Sequence, residues 1–471
     1  MTMTAAPAAL DRFFKLSERG TTVTREVRGG FATFFTMAYI VVLNPIILAG
    51  AKDKYGHTLS VPQLASSTAL AAAVMTAIMG VAGNLPLAIA AGLGLNGVVA
   101  FTLAPTMSWP DAMGLVVIEG LLICILVATG LRRAIFEAIP LPIKRAISVG
   151  IGLFIAFIGL VDAGFVTPAQ GTPVTLGTDG TLRHWPVFVF CFGLLLTTVL
   201  IVRKVRGAIL ISIVTTTILA IIVHAAGAKG AQWGLIEPKK PSKIADTPDF
   251  HLLGKFSLHG GFQKAGIITA IVFVFTLVLS DFFDAMGTIT GISAEAGLLT
   301  DDGQVPKIGT VLFVDGLAAV AGGAASSSSN TAFIESAAGV GEGARTGLAN
   351  LVTSGLFVLA LFLTPLYAVV PQQAAAPALV VVGFLMLVQV KEIPWDDWDI
   401  ALPAFLAIVL MPFTYSITNG IGAGLISFVL LKAVRGKAKD VNVLLWIIAG
   451  LFLIYFALDP IEQVVNAGPY R

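Results

Sequence analysis

Gly322-Gly323-Ala324-Ala325-Ser326-Ser327-Ser328-Ser329-Asn330-Thr331-Ala332-Phe333-Ile334-Glu335-Ser336-Ala337-Ala338-Gly339-Val340-Gly341-Glu342-Gly343-Ala344-Arg345 is the stretch whose reading decides the fold. Strongly apolar segments flank it, so it belongs at membrane depth. Yet glycine and serine fill it, and it carries an ionisable Glu335. Bare backbone is tolerated at that depth only where it lines a cavity or is buried in protein. A charged side chain there costs roughly 2.5–3.5 kcal/mol on insertion scales. Small residues alone would suit a close helix–helix seam. Four serines followed by Asn330, Thr331 and Glu335 are too polar for that reading. The pattern predicts a binding site built on a broken membrane helix.

The composition outside this stretch agrees. The 471 residues are 56% hydrophobic and 12% charged, with a mean hydropathy of +0.91. Soluble chains carry about 25% charged residues, so this is read as an all-α, multi-pass integral protein of the cell membrane. The net charge of +2 identifies no partner, because positive charge in membrane proteins is sorted by side. No nucleic acid is expected. Cys124 and Cys191 lie in apolar stretches and read as small buried hydrophobes, without a disulfide framework or metal motif. The five histidines are scattered in loops or at helix ends and read as surface residues. No nucleophile–base pair, metal cluster or phosphate loop stands out, so neither an enzyme nor a cofactor is expected. The first ~25 residues are polar and mixed, unlike a cleavable signal. The apolar run from Phe31 therefore serves as the first anchor.

A span needs about 20 apolar residues. Fifteen stretches qualify or come close: 30–50, 65–83, 86–103, 111–131, 141–161, 185–202, 207–227, 264–288, 308–322, 331–343, 346–370, 375–390, 398–415, 418–434 and 441–458. Two of them, 86–103 and 331–343, are short, polar and interrupted by glycine, as half-helices are. Arg12, Lys15, Arg19, Arg25 and Arg28 precede the first span and put the N-terminus in the cytoplasm. Arg132, Arg133, Lys144 and Arg145 after four crossings, and Arg203, Lys204 and Arg206 after six, agree. The acidic loop 391–399 gives no support. Segment 441–458 is one too many: either it is re-entrant, or 398–434 is a single broken helix.

The longest polar stretches, 162–184 and 228–263, read as external loops. The second separates two similar halves. Each half opens on a long apolar helix and has a short, glycine-rich third element, Pro86–Gly97 in one and the Ser/Gly stretch in the other. Seven elements per half is an odd number, so the halves are inverted in the bilayer. Matching short, glycine-interrupted segments in inverted halves point to a transporter's midplane site.

A second constellation is Ser280-Asp281-Phe282-Phe283-Asp284-Ala285-Met286-Gly287-Thr288. Asp281 and Asp284 are three apart and neighbours on one helix surface. Two carboxylates at membrane depth do not both carry charge without a partner. A helix ending near Ser280 would put the pair at the surface, but the apolar continuation Ala285–Ile292 argues against it. Asn44 before Pro45 can satisfy backbone groups freed by the proline. Glu119 and Asp315 read equally as interhelical glue or as ligand contacts. Asn96 lies where the first half-helix would face the second. Glu342 and Arg345 read as a helix-end ion pair. A carboxylate accepts two hydrogen bonds from neighbouring N–H groups, and half-helix N-termini supply free N–H donors. Together these suit a nucleobase and repel an anion. A protonatable carboxylate also gives a route for proton coupling.

Four motifs in order, Phe35–Pro45, Gly92–Asn96, Asp281–Thr288 and Thr331–Val340, resemble the AzgA-like purine permeases over nearly the whole chain. These belong to the nucleobase–cation symporters, with the uracil and xanthine permeases as relatives. The resemblance implies about 14 transmembrane segments in a seven-plus-seven inverted repeat, with core and gate domains and short β-strands at the two broken helices. The implied divisions are a cytoplasmic N-terminus (1–29), the first core half (30–135), the first gate half (141–228), an external loop (229–263), the second core half (264–370), the second gate half (375–459) and a C-terminal tail (460–471). It places base-binding positions at Asp284, Glu335, Asn96 and Thr288; Thr331 and Ser336 of the broken segment complete the expected base-binding set, and the buried carboxylates put proton coupling on Glu335, Asp284 and Asp281. The four serines at 326–329 depart from a Thr-rich run in relatives, which leaves base preference open. The expected function is proton-coupled import of purine bases of the hypoxanthine, guanine and adenine class. The expected partners are a purine base, a proton, the lipid bilayer and a second copy of the chain in a homodimer. The alternatives are a sulfate or dicarboxylate carrier on the same fold, and a non-transporting receptor or scaffold, for which two broken midplane segments make little sense.

Overall fold

The computed structural model describes residues 8–130, 139–169, 171–178, 180–227, 233–300 and 304–466. The basic pair Arg132 and Arg133, the expected boundary at 135 and the start of the 229–263 loop lie outside the described residues. Ten helices are long and apolar enough to cross a membrane, by length and composition, and four shorter apolar helices accompany them. In chain order the elements are α1 (Val23–Gly50), α2 (Val61–Gly83), β1 (Ile89–Ala91), α3 (Leu93–Thr106), α4 (Trp109–Ala128) and α5 (Leu141–Asp162). There follow β2 (Val166–Ala169), β3 (Thr172–Leu176), α6 (Trp185–Val202), α7 (Ala208–Ala225), α8 (Ile267–Glu295) and α9 (Ile308–Ala324). The second broken element is β4 (Asn330–Ala332) and the five-residue α10 (Ala337–Gly341). The chain closes with α11 (Leu348–Tyr367), α12 (Gln372–Glu392), α13 (Trp398–Phe413), α14 (Ile417–Val434) and α15 (Val443–Leu458).

The packing is that of an inverted repeat. In the core, α2 lies on α11 as α9 lies on α4, and α1 lies on α11 as α8 lies on α4. In the gate, α12 on α6 mirrors α5 on α13, and α5 and α12 pack on each other at the centre. That central crossing is close because Gly152 and Gly383 meet there. A Cβ on Gly383 would collide with the Gly152 carbonyl oxygen and sit 2.8 Å from the Ala156 Cβ. The two broken elements meet as an antiparallel pair, with Ile89 opposite Ala332, Ala90 opposite Thr331 and Ala91 opposite Asn330. Three residues on each side satisfy backbone groups that a broken helix leaves free at membrane depth. Asn44 adds to this. Its amide donates to Thr68 Oγ1 at 2.7 Å and to the Ser327 carbonyl at 3.0 Å, so α1 holds the serine run in place.

Several regions differ from the expected map. The stretch 162–184 holds a hairpin, β2–β3, with Val166 opposite Leu176. Its β-branched Thr172, Val174 and Thr175 favour extended chain, a signal masked by the surrounding turn residues. The stretch 398–434 forms two helices, α13 and α14, joined by a turn at Tyr415 (φ 53°). Ser416 caps α14 by accepting from Asn419 N at 3.4 Å. The segment expected at 441–458 is a fifteenth helix, which packs on α14 and α8 outside the repeat. Its last turns run on to Asn466, into the expected tail. The long loop is tied down at Asp249, which accepts from Gln63 Nε2 at 3.0 Å and whose N–H donates to Ser66 Oγ at 3.2 Å. Those contacts from Gln63, and then from His251, hold the Asp249 carboxyl down at about 2.

Candidate functional site

A cavity of about 120 Å³ lies between core and gate, beside the strand pair. The core wall comes from Tyr39, from Gly92–Leu95 at the start of α3, from Ser280, Asp284 and Thr288 on α8, and from Ala332–Glu335. The gate wall is Ile147, Ser148 and Ile151 on α5 with Val382 and Met386 on α12. This is smaller than the ~300–1,000 Å³ of drug-sized pockets and suits a small, flat solute. Its walls pair an aromatic and aliphatic surface with two carboxylates.

Helix α8 runs unbroken through Asp281 and Asp284, so the pair is not at a helix end. Asp284 faces the cavity. Glu335 sits in the tight turn Ile334–Ser336 between β4 and α10. It is close enough to Asp284 for the two charges to act on each other. Tyr39 Oη donates to Glu335 Oε1, and Thr36 Oγ1 donates to the Glu335 carbonyl at 3.2 Å. Opposite, the first turn of α3 begins at Gly92, which is fixed by its N–H to the Ser329 carbonyl at 2.9 Å. The next N–H groups of a helix have no acceptor within it. Leu93, Gly94 and Leu95 therefore present donors on the cavity wall. Gly94 is needed there, because a Cβ would lie 2.8 Å from Ile151 Cγ2 of the gate.

Of the residues marked in the sequence, Asp284, Glu335 and Thr288 line this cavity. Asn96, Thr331 and Ser336 are buried behind its wall. Ser336 Oγ accepts from Ala88 N at 3.0 Å and so braces the chain before β1 against the turn between β4 and α10. Thr331 Oγ1 donates to Asp315 Oδ1 at 3.4 Å. Both polar atoms of the Asn96 side chain are buried without a hydrogen-bond partner among the described residues. Asp281 turns away from the cavity into a separate buried group with Glu119 and Asp315, which receive Ser329 Oγ at 3.2 Å and Ala332 N at 3.1 Å respectively.

Glu342 does not pair with Arg345. It is held by Arg28 of α1 and by Arg206 of the loop before α7. Arg345 instead donates to the Val340 and Ala344 carbonyls at 2.8 and 2.7 Å, capping the end of α10. Neighbours three apart in sequence suggested the wrong partner, because the chain leaves the helix at Gly343 (φ 98°). The sequence reading did not single out Tyr39, Ser280, Phe333 or any gate residue of the cavity. Tyr39 lies inside a quoted motif, but the gate residues are ordinary members of apolar helices and carry no signal.

Comparison with known proteins gives one consistent result. The profile of the permease family matches residues 24–423. The guanine/hypoxanthine permease PbuG of Bacillus subtilis is 36% identical over 457 residues, covering 94% of this chain and 98% of that one. The adenine permease AdeP of Escherichia coli is 36% identical over 455 residues, covering 96% and 97%. Among solved structures, the transmembrane domain of the cyanobacterial bicarbonate transporter BicA superposes with a TM-score of 0.60 at 15% identity, covering 84% of this chain and 97% of that one. The murine Slc26a9 anion transporter in its inward-facing state gives 0.61 at 12% identity, covering 92% and 73%. At such identities the structures share the fold alone.

Proposed function

This chain belongs to the permease family, and we propose that it imports purine nucleobases of the hypoxanthine, guanine and adenine class together with protons. The observation that carries this reading is the cavity walled on one side by core and on the other by gate, with Asp284 and Glu335 in it. A flat purine would lie between Phe333 and Tyr39 of the core and Ile147, Ile151 and Met386 of the gate. Its ring N–H groups would donate to the two carboxylates, and its acceptors would take the N–H groups of the first turn of α3. Thr288 would contact the base edge. Asn96, Thr331 and Ser336 would shape the wall from behind. Relative movement of gate against core then exposes the site to one side and the other. Among the described residues no lysine, arginine or histidine lines the cavity, which disfavours the anion carrier despite the shared fold.

The same reading puts the core at 30–135 and 264–370, the gate at 141–228 and 375–459, the N-terminus in the cytoplasm and the 229–263 loop outside. Lys243→Cys is exposed on that loop. It should react with an impermeant thiol reagent in intact cells, and reaction only after permeabilisation would reverse the topology. Uptake of labelled hypoxanthine in cells lacking their own permeases tests the function. Unlabelled guanine or adenine should compete, sulfate and dicarboxylates should not, and a protonophore should collapse accumulation. Transport of sulfate with no purine uptake would reject the reading, and strict sodium dependence without response to pH would reject proton coupling.

A further inference from the structure

We propose that Glu119, Asp281 and Asp315 form a second, buried site that carries the coupling protons behind the base cavity. The proposal rests on the symporter reading above and adds to it a separate place for the proton. The three carboxylates come from α4, α8 and α9 and are wholly buried, at 0%, 0% and 1% exposure. Asp315 and Glu119 are the leading charges acting on Asp281. The titratable groups facing the site are Glu119 and Cys124 on α4, Asp281 and Asp284 on α8, and Asp315 on α9. Among the described residues no lysine or arginine is one of the charges acting on the three.

The available hydrogen bonds fall short of what three carboxylates need. Ser329 Oγ serves Glu119 Oε1, and Ala332 N and Thr331 Oγ1 serve Asp315 Oδ1. Thr331 stands between Asp315 and Asp281 but has one proton to give. Among the described residues, both oxygens of Asp281 and the second oxygen of Glu119 are left without a partner. A bare ion in a protein interior costs several kcal/mol, so positive charge must accompany three of them. The described residues hold no group of three His, Cys, Asp or Glu side chains placed to share a metal ion. Protons meet the need, because a protonated carboxyl supplies the donor that its neighbour lacks.

The geometry also links this site to the base. Ala332 lines the cavity and also holds Asp315 with its N–H. Asp281 and Asp284 share one turn of α8. A base that seats against Ala332–Glu335 moves the strand whose donors hold Asp315 and Glu119, and so changes how tightly the site keeps its protons.

The test uses purified full-length protein in weakly buffered detergent, with hypoxanthine as ligand. The parent should take up protons on binding base. Glu119→Gln and Asp315→Asn keep shape and remove titration. Each should bind base within about threefold of the parent, take up fewer protons, and retain exchange of bound base. Under an inward gradient of about one pH unit each lost proton removes about tenfold of accumulation, since one unit is about 1.4 kcal/mol. Infrared spectra of the ligand-free parent at neutral pH should show protonated carboxyl groups that weaken in either variant, a readout independent of transport. Parent-like proton uptake in both variants overturns the proposal. So does the absence of that carboxyl signal from the parent. A parent that shows the signal but binds no purine would instead reject the proposed substrate.

Discussion

Asp284→Ala and Glu335→Ala should each reduce hypoxanthine uptake below detection while the protein still reaches the membrane. Asp284 stands on an unbroken helix, so its removal leaves α8 intact. Glu335 stands in a tight turn and is steadied by Tyr39 and Thr36. In the proposed pose each carboxylate accepts ring N–H groups. Losing one charge-assisted hydrogen bond costs about 1.5–3 kcal/mol, or roughly 10- to 150-fold in affinity. Tyr39→Phe should have a smaller effect, because it removes the group that orients Glu335 and not the acceptor itself. Glu342→Ala is the useful contrast. Glu342 lies outside the cavity, on two arginines that are 64% and 67% exposed. Glu342 itself is nearly buried, at 5% exposure, so the variant loses more stability than the about 0–1 kcal/mol of a fully exposed pair. Base affinity should be unchanged, because Glu342 does not line the cavity, whereas the rate of uptake should shift, because Glu342 ties α1 to the loop before α7. Equilibrium binding on purified protein decides the matter. Both alanine variants binding purine within about twofold of the parent would move the site elsewhere.

Most of this architecture could be read from the chain because its physical constraint is severe. A membrane helix must be long, apolar and self-satisfied in hydrogen bonds, so the spans begin and end within a few residues of where the apolar runs do. The first span starts earlier than its apolar run, since α1 begins at Val23, where Thr22 caps it by accepting from Arg25 N. Broken elements stood out for the converse reason, as polar, glycine-rich sequence where none should be. What one chain does not reveal is rotation. Asp281 and Asp284 are three residues apart on one helix, about 60° of turn, and that angle sends one to the cavity and the other to Glu119 and Asp315. Likewise nothing local says that Glu342 meets Arg28 and Arg206. The hairpin β2–β3 was hidden by its own turn residues. The gate wall of the cavity was hidden because Ile147, Val382 and Met386 look like any residues that face lipid.

The largest structural effect is expected at Gly322, where α9 gives way to the serine run. The helix ends with Ser326 N bonded to the Gly323 carbonyl at 3.1 Å and Ser327 N to the Gly322 carbonyl at 2.9 Å. The chain then turns back on itself through Ser326 and Ser328, both left-handed at φ 56° and 70°. Such a conformation costs an L-residue roughly 1–2 kcal/mol, and β-branched side chains tolerate it least. Serine rather than a β-branched residue at 326 and 328 therefore has a local reason. The reversal brings the Ser328 carbonyl onto Gly322. A Cβ there would collide with that oxygen and lie 3.0 Å from Asn330 N. Neither atom is the end of a flexible side chain, so Gly322→Ala must displace 328–332. Those residues carry the bonds to Glu119, to Asp315 and to Gly92 N. Overpacking alone costs about 1–3 kcal/mol, and the lost bonds to buried carboxylates add to it. The variant should melt well below the parent in detergent and bind no base. Ser328→Gly should do the opposite. It relieves the left-handed strain and removes a buried hydroxyl without a partner, against a glycine entropy cost of about 0.5–1 kcal/mol. Its melting temperature should match or exceed the parent's. A Gly322→Ala protein that melts and binds like the parent would mean that the chain reverses elsewhere, and that the serine run does not hold the strand against the two sites.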